Sequence, residues 1–217
     1  ISEDDLISAL EKTAKQAHRA GQIIQRIRAF VKRSEPNRTP SEVSVMVAEA
    51  VELAEIELRK FNVRLNPYVA ERIPLLLVDP ILIEQVLLNF LRNAREAMQH
   101  LAPAQRIAEI RTTRVDGSHA MVEVADRGVG ISPEAARQLF SPFFSTKNDG
   151  MGMGLNICRS LIEYHEGNLT FGQNEPCGAV FRFTLPFDHS AEHAADHPQD
   201  QPQARPPAEN ERDGAHA

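Results

Sequence analysis

The chain has 217 residues, 42% of them hydrophobic and 25% charged, the composition of one or two ordinary globular domains, which excludes a collagen-like or wholly disordered chain. No uncharged apolar run reaches the roughly 18 residues a membrane-spanning helix requires, and two cysteines are too few for a disulfide scaffold and fit a reducing, cytoplasmic setting. Of the net charge of −6, residues 188–217 carry −5, so the body is near neutral and lacks the basic stripe that nucleic-acid phosphates demand.

No signal-peptide pattern opens the chain, and a start at Ile1 reads as a piece cut from a longer protein. Residues 1–33 read as one helix. Leu6, Leu10, Ala17, Ala20, Ile24, Ile27 and Val31 form a heptad seam that Ile7, Ala14, Ile23 and Phe30 widen. A stripe that wide needs a partner, either another helix or a second chain. Its mild basic excess reads as a solvated face. Residues 34–40 contain Pro36 and Pro40 and read as a linker.

A second domain is expected over residues 41–187. Ser41 is placed to cap a helix running to about Lys60, with Val47, Ala50, Val51, Ala54 and Leu58 inward. Strands are expected at 63–66 and 75–78. Pro80 then opens a strongly apolar helix reaching about His100. A strand pair over 107–114 and 120–125 turns at Asp116-Gly117. Residues 127–152 are rich in Gly, Pro and Ser without a long period, residues 155–165 form a helix, and strands at 169–172 and 179–185 close the domain. Helices mixed with strands in this order give a two-layer α/β sandwich. Residues 188–217 hold no Val, Ile, Leu, Met or aromatic residue; they cannot bury enough surface to offset ordering entropy and are expected to be disordered. The four His of this tail read as solvated.

Four short segments carry chemistry. In Gln85-Val-Leu-Leu-Asn89-Phe-Leu-Arg-Asn93-Ala-Arg-Glu-Ala-Met98, the two Asn are one helical turn apart, so both amides share a face. Carboxamide oxygens there suit a hard cation such as Mg²⁺. Asp126-Arg-Gly-Val-Gly130 follows a strand: the carboxylate can accept from an exocyclic amine, and Gly128 and Gly130 let backbone approach a flat ring. Leu139-Phe-Ser-Pro-Phe-Phe-Ser-Thr-Lys147 places Phe140, Phe143 and Phe144 in a loop that either fills a satellite core or hinges a cover, with Lys147 able to reach a phosphate. Gly150-Met-Gly-Met-Gly154-Leu155 precedes a helix, where exposed N–H groups and the helix dipole favour an anion. Its spacing is neither that of a Walker loop nor of a dinucleotide fingerprint.

In this order and spacing, the segments resemble the N, G1, F and G2 boxes of the histidine kinase catalytic and ATP-binding domain, part of the gyrase–chaperone–kinase–mismatch-repair ATPase superfamily. Gly178-Ala-Val-Phe-Arg-Phe-Thr-Leu-Pro186 is similar to that family's closing strand, and the Asn93-Ala-Arg-Glu-Ala-Met and Phe-Phe-Ser-Thr-Lys stretches resemble those of oxygen- and dicarboxylate-sensing two-component kinases. The resemblance covers about residues 1–187. It implies a Bergerat-type ATP-binding fold with ATP and Mg²⁺ as cofactors. Asn93 would be the Mg²⁺ ligand, with Asn89 lining the same face. Asp126 would read the adenine amino group in a pocket shaped by Gly128 and Gly130. Phe140, Phe143 and Phe144 would anchor an ATP lid, and Lys147 would touch phosphate. Gly150, Gly152 and Gly154, followed by Leu155, would wrap the triphosphate and let the lid move.

The same resemblance makes residues 1–33 the second helix of a dimerising phosphotransfer hairpin, so the parent protein is expected to form a homodimer and to pass phosphate to a response-regulator receiver domain. His18 is followed by no acid and reads as a helix-face residue, which leaves the phosphoacceptor His outside the chain. No membrane contact by this fragment is expected, although an inner-membrane anchor in the parent is compatible. One departure is Glu96, where the family commonly carries a basic residue three positions after the metal-binding Asn; Arg92 and Arg95 are the nearby bases. Competing readings are an ATPase or a protein serine kinase of the same superfamily, and a nucleotide-responsive module without catalysis. The hydrolases use a Glu one turn before the metal-binding Asn, where this chain has Asn89, an amide with no useful basicity.

Overall fold

A computed structural model describes residues 37–146 and 152–188. The expected helix over 1–33 with His18, the residues Lys147 and Gly150, and the tail beyond Asp188 lie outside the described residues.

The order is β1 (Thr39–Ser41), α1 (Val43–Lys60), β2 (Arg64–Val69), β3 (Leu76–Val78), α2 (Pro80–Ala97), a 3-10 turn (Pro103–Gln105), β4 (Ile107–Arg114), β5 (His119–Asp126), α3 (Pro133–Ala136), α4 (Gly154–Tyr164), β6 (Asn168–Gln173) and β7 (Ala179–Pro186). Five strands form one sheet in the order β2-β4-β5-β7-β6. Its β2–β4 pair is parallel and the rest is antiparallel. Helices α1, α2 and α4 pack against it, which is the expected two-layer sandwich.

Period-two alternation explains the sheet's buried face. Ala120, Val122 and Val124 of β5, and Phe181, Phe183 and Leu185 of β7, are buried. Helix α2 lays Ile83, Val86, Leu87, Phe90, Leu91 and Ala94 on them. Phe90 stacks on Phe181 with ring centroids 5.1 Å apart and tilts against Phe183 at 6.2 Å. The start of α2 is fixed by Asp79, whose carboxylate accepts from the Leu82 N–H at 3.3 Å, and by Pro80 in the first turn. The β4–β5 turn is held by Asp116, which accepts from the Ser118 N–H and the His119 N–H, each at 2.7 Å. These donors, Ser118 first, hold its carboxyl down at about 2.

Several local readings change. Ser41 does not cap α1: its backbone pairs with Leu76 in β1, its hydroxyl donates to Thr39 O at 2.9 Å, and α1 starts at Val43 behind Glu42, which makes no side-chain cap bond. Thr39 and Pro40, read as the end of a linker, belong to the same strand. Strand β2 runs on through Pro67 to Val69 because it is the sheet's edge, where a missing N–H leaves no ladder bond unmade. The single turn α3 arises where Ser132 accepts from the Ala135 N–H at 3.2 Å and Pro133 follows.

His165 ends α4 as read from sequence, but it is also fully buried. Its Nε2 accepts from the Asp79 N–H at 3.1 Å and its Nδ1 lies 2.7 Å from Leu161 O, so Nδ1 carries the proton. The imidazole thereby joins the end of α4 to the start of α2. Burial pushes it below its ordinary range, with the bond to Leu161 opposing.

Candidate functional site

Asn89, Asn93 and Ala97 succeed one another at one-turn spacing on α2 and form a shallow stripe. At its lower end, the Asn89 amide donates to Cys158 Sγ at 3.0 Å. Gly154 approaches so closely that a Cβ there would lie 2.8 Å from Asn89 Oδ1. At the upper end, a Cβ on Gly128 would lie 2.7 Å from Ala97 Cβ, so only a glycine lets that loop rest on the helix. Half-buried Asn93 stands one turn from each contact, between the two glycine segments. Ala97 had no signal in the sequence beyond helical spacing.

Asp126 ends β5 and is 4% exposed. Its Oδ1 accepts from the Gly128 N–H at 2.7 Å and the Ala179 N–H at 3.3 Å, which orients the carboxylate and offsets part of its desolvation. Gly130 adopts a φ of 73° in the loop that follows. Two hairpin residues that the sequence reading passed over reach this loop. Asn174 Nδ2 donates to Asp126 O at 2.8 Å, and Gln173 Nε2 donates to Ile131 O at 2.6 Å.

The Phe-rich segment divides. Phe140 packs edge-on to Phe171 at 5.6 Å, with the Arg159 guanidinium 5.3 Å from its ring. Phe144 is half-buried, whereas Phe143 is 76% exposed and holds a φ of 67°. Gly152, with a φ of 65°, lies directly on this backbone: a Cβ there would fall 2.3 Å from the Phe143 carbonyl carbon. Leu155, in the first turn of α4, packs against the core. The structure therefore brings Asn89, Gly154 and Leu155 together, Asn93 beside them, and Gly128 and Asp126 at the far end of the same helix.

A cavity of about 400 Å³ opens between α1, α2 and α4 and reaches only the lower end of the stripe, where Asn89, Gly154 and Cys158 line it with Leu53, Leu88 and Leu161. Asn93, Asp126 and Gly128 take no part in it. Arg95 is turned to the α1 side: it pairs with Glu57 at 3.1 Å and Glu96 at 3.0 Å and lies over the Phe61 ring at 4.3 Å. Those bonds make Arg95 a poor substitute for the basic residue absent at position 96.

Residues 78–189, just over half of the chain, match the family described as histidine kinase-, DNA gyrase B-, and HSP90-like ATPase. The chain belongs to this ATPase family. Its similar proteins include the C4-dicarboxylate transport sensor protein DctS of Rhodobacter capsulatus, 45% identical over 83% of this chain and 27% of that protein. The sensor protein FixL of Bradyrhizobium diazoefficiens is 44% identical over 82% of this chain and 35% of that protein. The chain thus spans about a quarter to a third of the length of these relatives. Among solved structures, the catalytic domain of histidine kinase ThkA aligns with a TM-score of 0.60 and 30% identity over 69% of this chain and 95% of that domain. ThkA in complex with the response regulator protein TrrA shares the fold, with a TM-score of 0.66 and 24% identity over 87% of this chain and 53% of that one. Within the family, the described domain is an ATP-binding catalytic domain of the histidine kinase kind. No helix among the described residues is long and apolar enough to cross a membrane.

Proposed function

We propose that this domain binds Mg-ATP along the Asn89–Asn93–Ala97 stripe of α2 and transfers the γ-phosphoryl to a histidine on a dimerisation helix. The observation that carries this reading is the station of Asn93 between Gly154 and Gly128, with the oriented, buried carboxylate of Asp126 at the Gly128 end. Asp126 would accept from the adenine amino group, with Gly128 and Gly130 against the ring. The triphosphate would then run toward Gly152 and Gly154, where the first N–H groups of α4 and its dipole favour negative charge. Lys147 and Gly150, by the family resemblance of their motifs, would complete the phosphate side. Phe140 and Phe144 would anchor an ATP lid on the domain, with Phe143 left exposed.

A Mg²⁺ ion suits the donor set. The cation would rest on the Asn93 carboxamide and on phosphate oxygens, since Mg²⁺ takes oxygen donors and is commonly held by few protein ligands together with substrate phosphates. It would supply charge neutralisation at the β- and γ-phosphates. The domain's own work is to position the base, orient the triphosphate and exclude water. An imidazole acceptor already offers a lone pair, so positioning and electrostatics suffice for transfer. Steady hydrolysis is disfavoured because Asn89, bonded to Cys158, offers no base for water.

In the parent protein, residues 1–33 would pair two copies through their heptad seam, the segment after them would link them to the catalytic unit that begins at β1, and the phosphate would pass to an Asp of a response regulator in the cytoplasm. The DctS and FixL relatives and the ThkA–TrrA complex support this assignment. The test mixes this chain with a separately produced helix that carries a histidine followed by an acid, together with γ-labelled ATP. Label on that histidine is expected. Tight nucleotide binding with no label on a competent acceptor would favour the non-catalytic module.

A further inference from the structure

The loop that would receive adenine owes its shape to a hairpin outside all four motifs. Asn174 and Gln173 stand side by side where β6 turns into β7. The Asn174 amide holds the Asp126 carbonyl at 2.8 Å, and the Gln173 amide holds the Ile131 carbonyl at 2.6 Å. The first and last residues of segment 126–131 are therefore pinned by adjacent side chains. Asn174 is itself fixed, because its N–H donates to Gly178 O at 2.9 Å and closes the hairpin.

The packing is as tight as the bonding. Gly178 has a φ of 105°, and a Cβ there would fall 1.9 Å from Asp126 O, so the hairpin backbone lies against that carbonyl. Gln173 Oε1 lies against Gly130, where a Cβ would fall within 2.6 Å of it. Ala179, the next residue along, supplies one of the two N–H donors to Asp126 Oδ1. A loop with two glycines has many conformations open to it. Pinning both ends selects the one in which the Asp126 carboxylate and the Gly128–Gly130 backbone are presented together.

We propose that Gln173 and Asn174 are positioning residues of the nucleotide site, setting base affinity and the preference for a 6-amino purine; the proposal rests on the ATP-binding reading above. Neither need touch the nucleotide. Their amides act on Asp126 and Ile131, which frame the base.

The test compares the chain with Asn174→Asp and Gln173→Glu, each near-isosteric and each turning an oxygen toward a carbonyl where a donor stood. Calorimetric affinities for ADP and for inosine diphosphate, which lacks the amino group, are measured with hydrogen exchange of residues 127–131. Asn174→Asp is expected to weaken ADP about tenfold while inosine diphosphate changes less, so that base preference narrows. Gln173→Glu, at the exposed end, is expected to fold normally, to speed exchange in 127–131 and to narrow the preference by a smaller factor. Unchanged base preference in both variants, or an equal loss for both nucleotides, overturns the proposal. Should Asn174→Asp fail to fold, Gln173→Glu decides by the same readouts. An unaltered chain that binds neither nucleotide would remove the ATP-binding reading itself, a failure distinct from variants that bind as the parent does.

Discussion

Asp126 is a carboxylate removed from water at the end of a strand, and two backbone N–H groups hold one of its oxygens. An asparagine can keep both bonds through its carbonyl oxygen but loses the charge. Asp126→Asn is therefore expected to leave thermal unfolding within a few degrees of the parent and to weaken adenine nucleotides by about ten- to a hundredfold, the scale of a charged hydrogen bond. Calorimetry beside a melting curve checks it; undiminished affinity would remove Asp126 from the site. As a candidate, this residue, with Asn93, Gly128 and Gly130, was legible because the proposed chemistry demands those residue types at fixed local spacing. Asn174 and Gln173 were not, since an amide in a Gly- and Pro-containing turn looks like any turn residue until the fold brings it 48 or 42 residues back along the chain.

At the scale of elements, α2 matters twice, once through its buried stripe and once through its amide stripe. Phe90 lies where α2 meets β7. Phe90→Ala is expected to cost about 3–5 kcal/mol in urea unfolding, from lost burial and the cavity left behind; a loss below about 1 kcal/mol would mean the rings do not form the core contact described. His165 ties α2 to α4. With its pKa lowered by burial, the unfolded chain takes up the proton first as pH falls. Its contribution is thus intact above the ordinary histidine value of about 6.5 and declines as pH drops through that value toward the lowered one. Melting temperature is expected to fall between pH 7.5 and 5.5, and His165→Asn to flatten that slope; an identical slope in the variant would contradict the buried neutral imidazole. Helices and strands themselves were legible from periods of 3.6 and 2. The misplaced cap at Ser41 was not, because a Ser before an apolar run reads as a cap whether or not a strand such as β3 claims its backbone.

Taken whole, the domain stands on contacts between distant segments that composition and periodicity do not encode. The strand order is β2-β4-β5-β7-β6, and its parallel β2–β4 pair follows from the crossover through β3 and α2. Arg38, just ahead of β1, pairs with Glu166 at 2.8 Å, donates to Tyr164 O and lies over the Tyr164 ring at 4.7 Å, which fastens the approach to the domain onto the far end of α4. Fold class was legible early because the apolar patterns alternate between helix and strand, and the candidate site was named from four motifs in one order. The measurement that bears most directly on this account is a calorimetric titration of the chain with a non-hydrolysable ATP analogue, with and without Mg²⁺, repeated on Asn93→Ala. Binding strengthened by Mg²⁺ in the parent, with that strengthening lost in Asn93→Ala, is the predicted result. A folded parent that releases no heat with the analogue, or a variant that keeps the full Mg²⁺ effect, would contradict it.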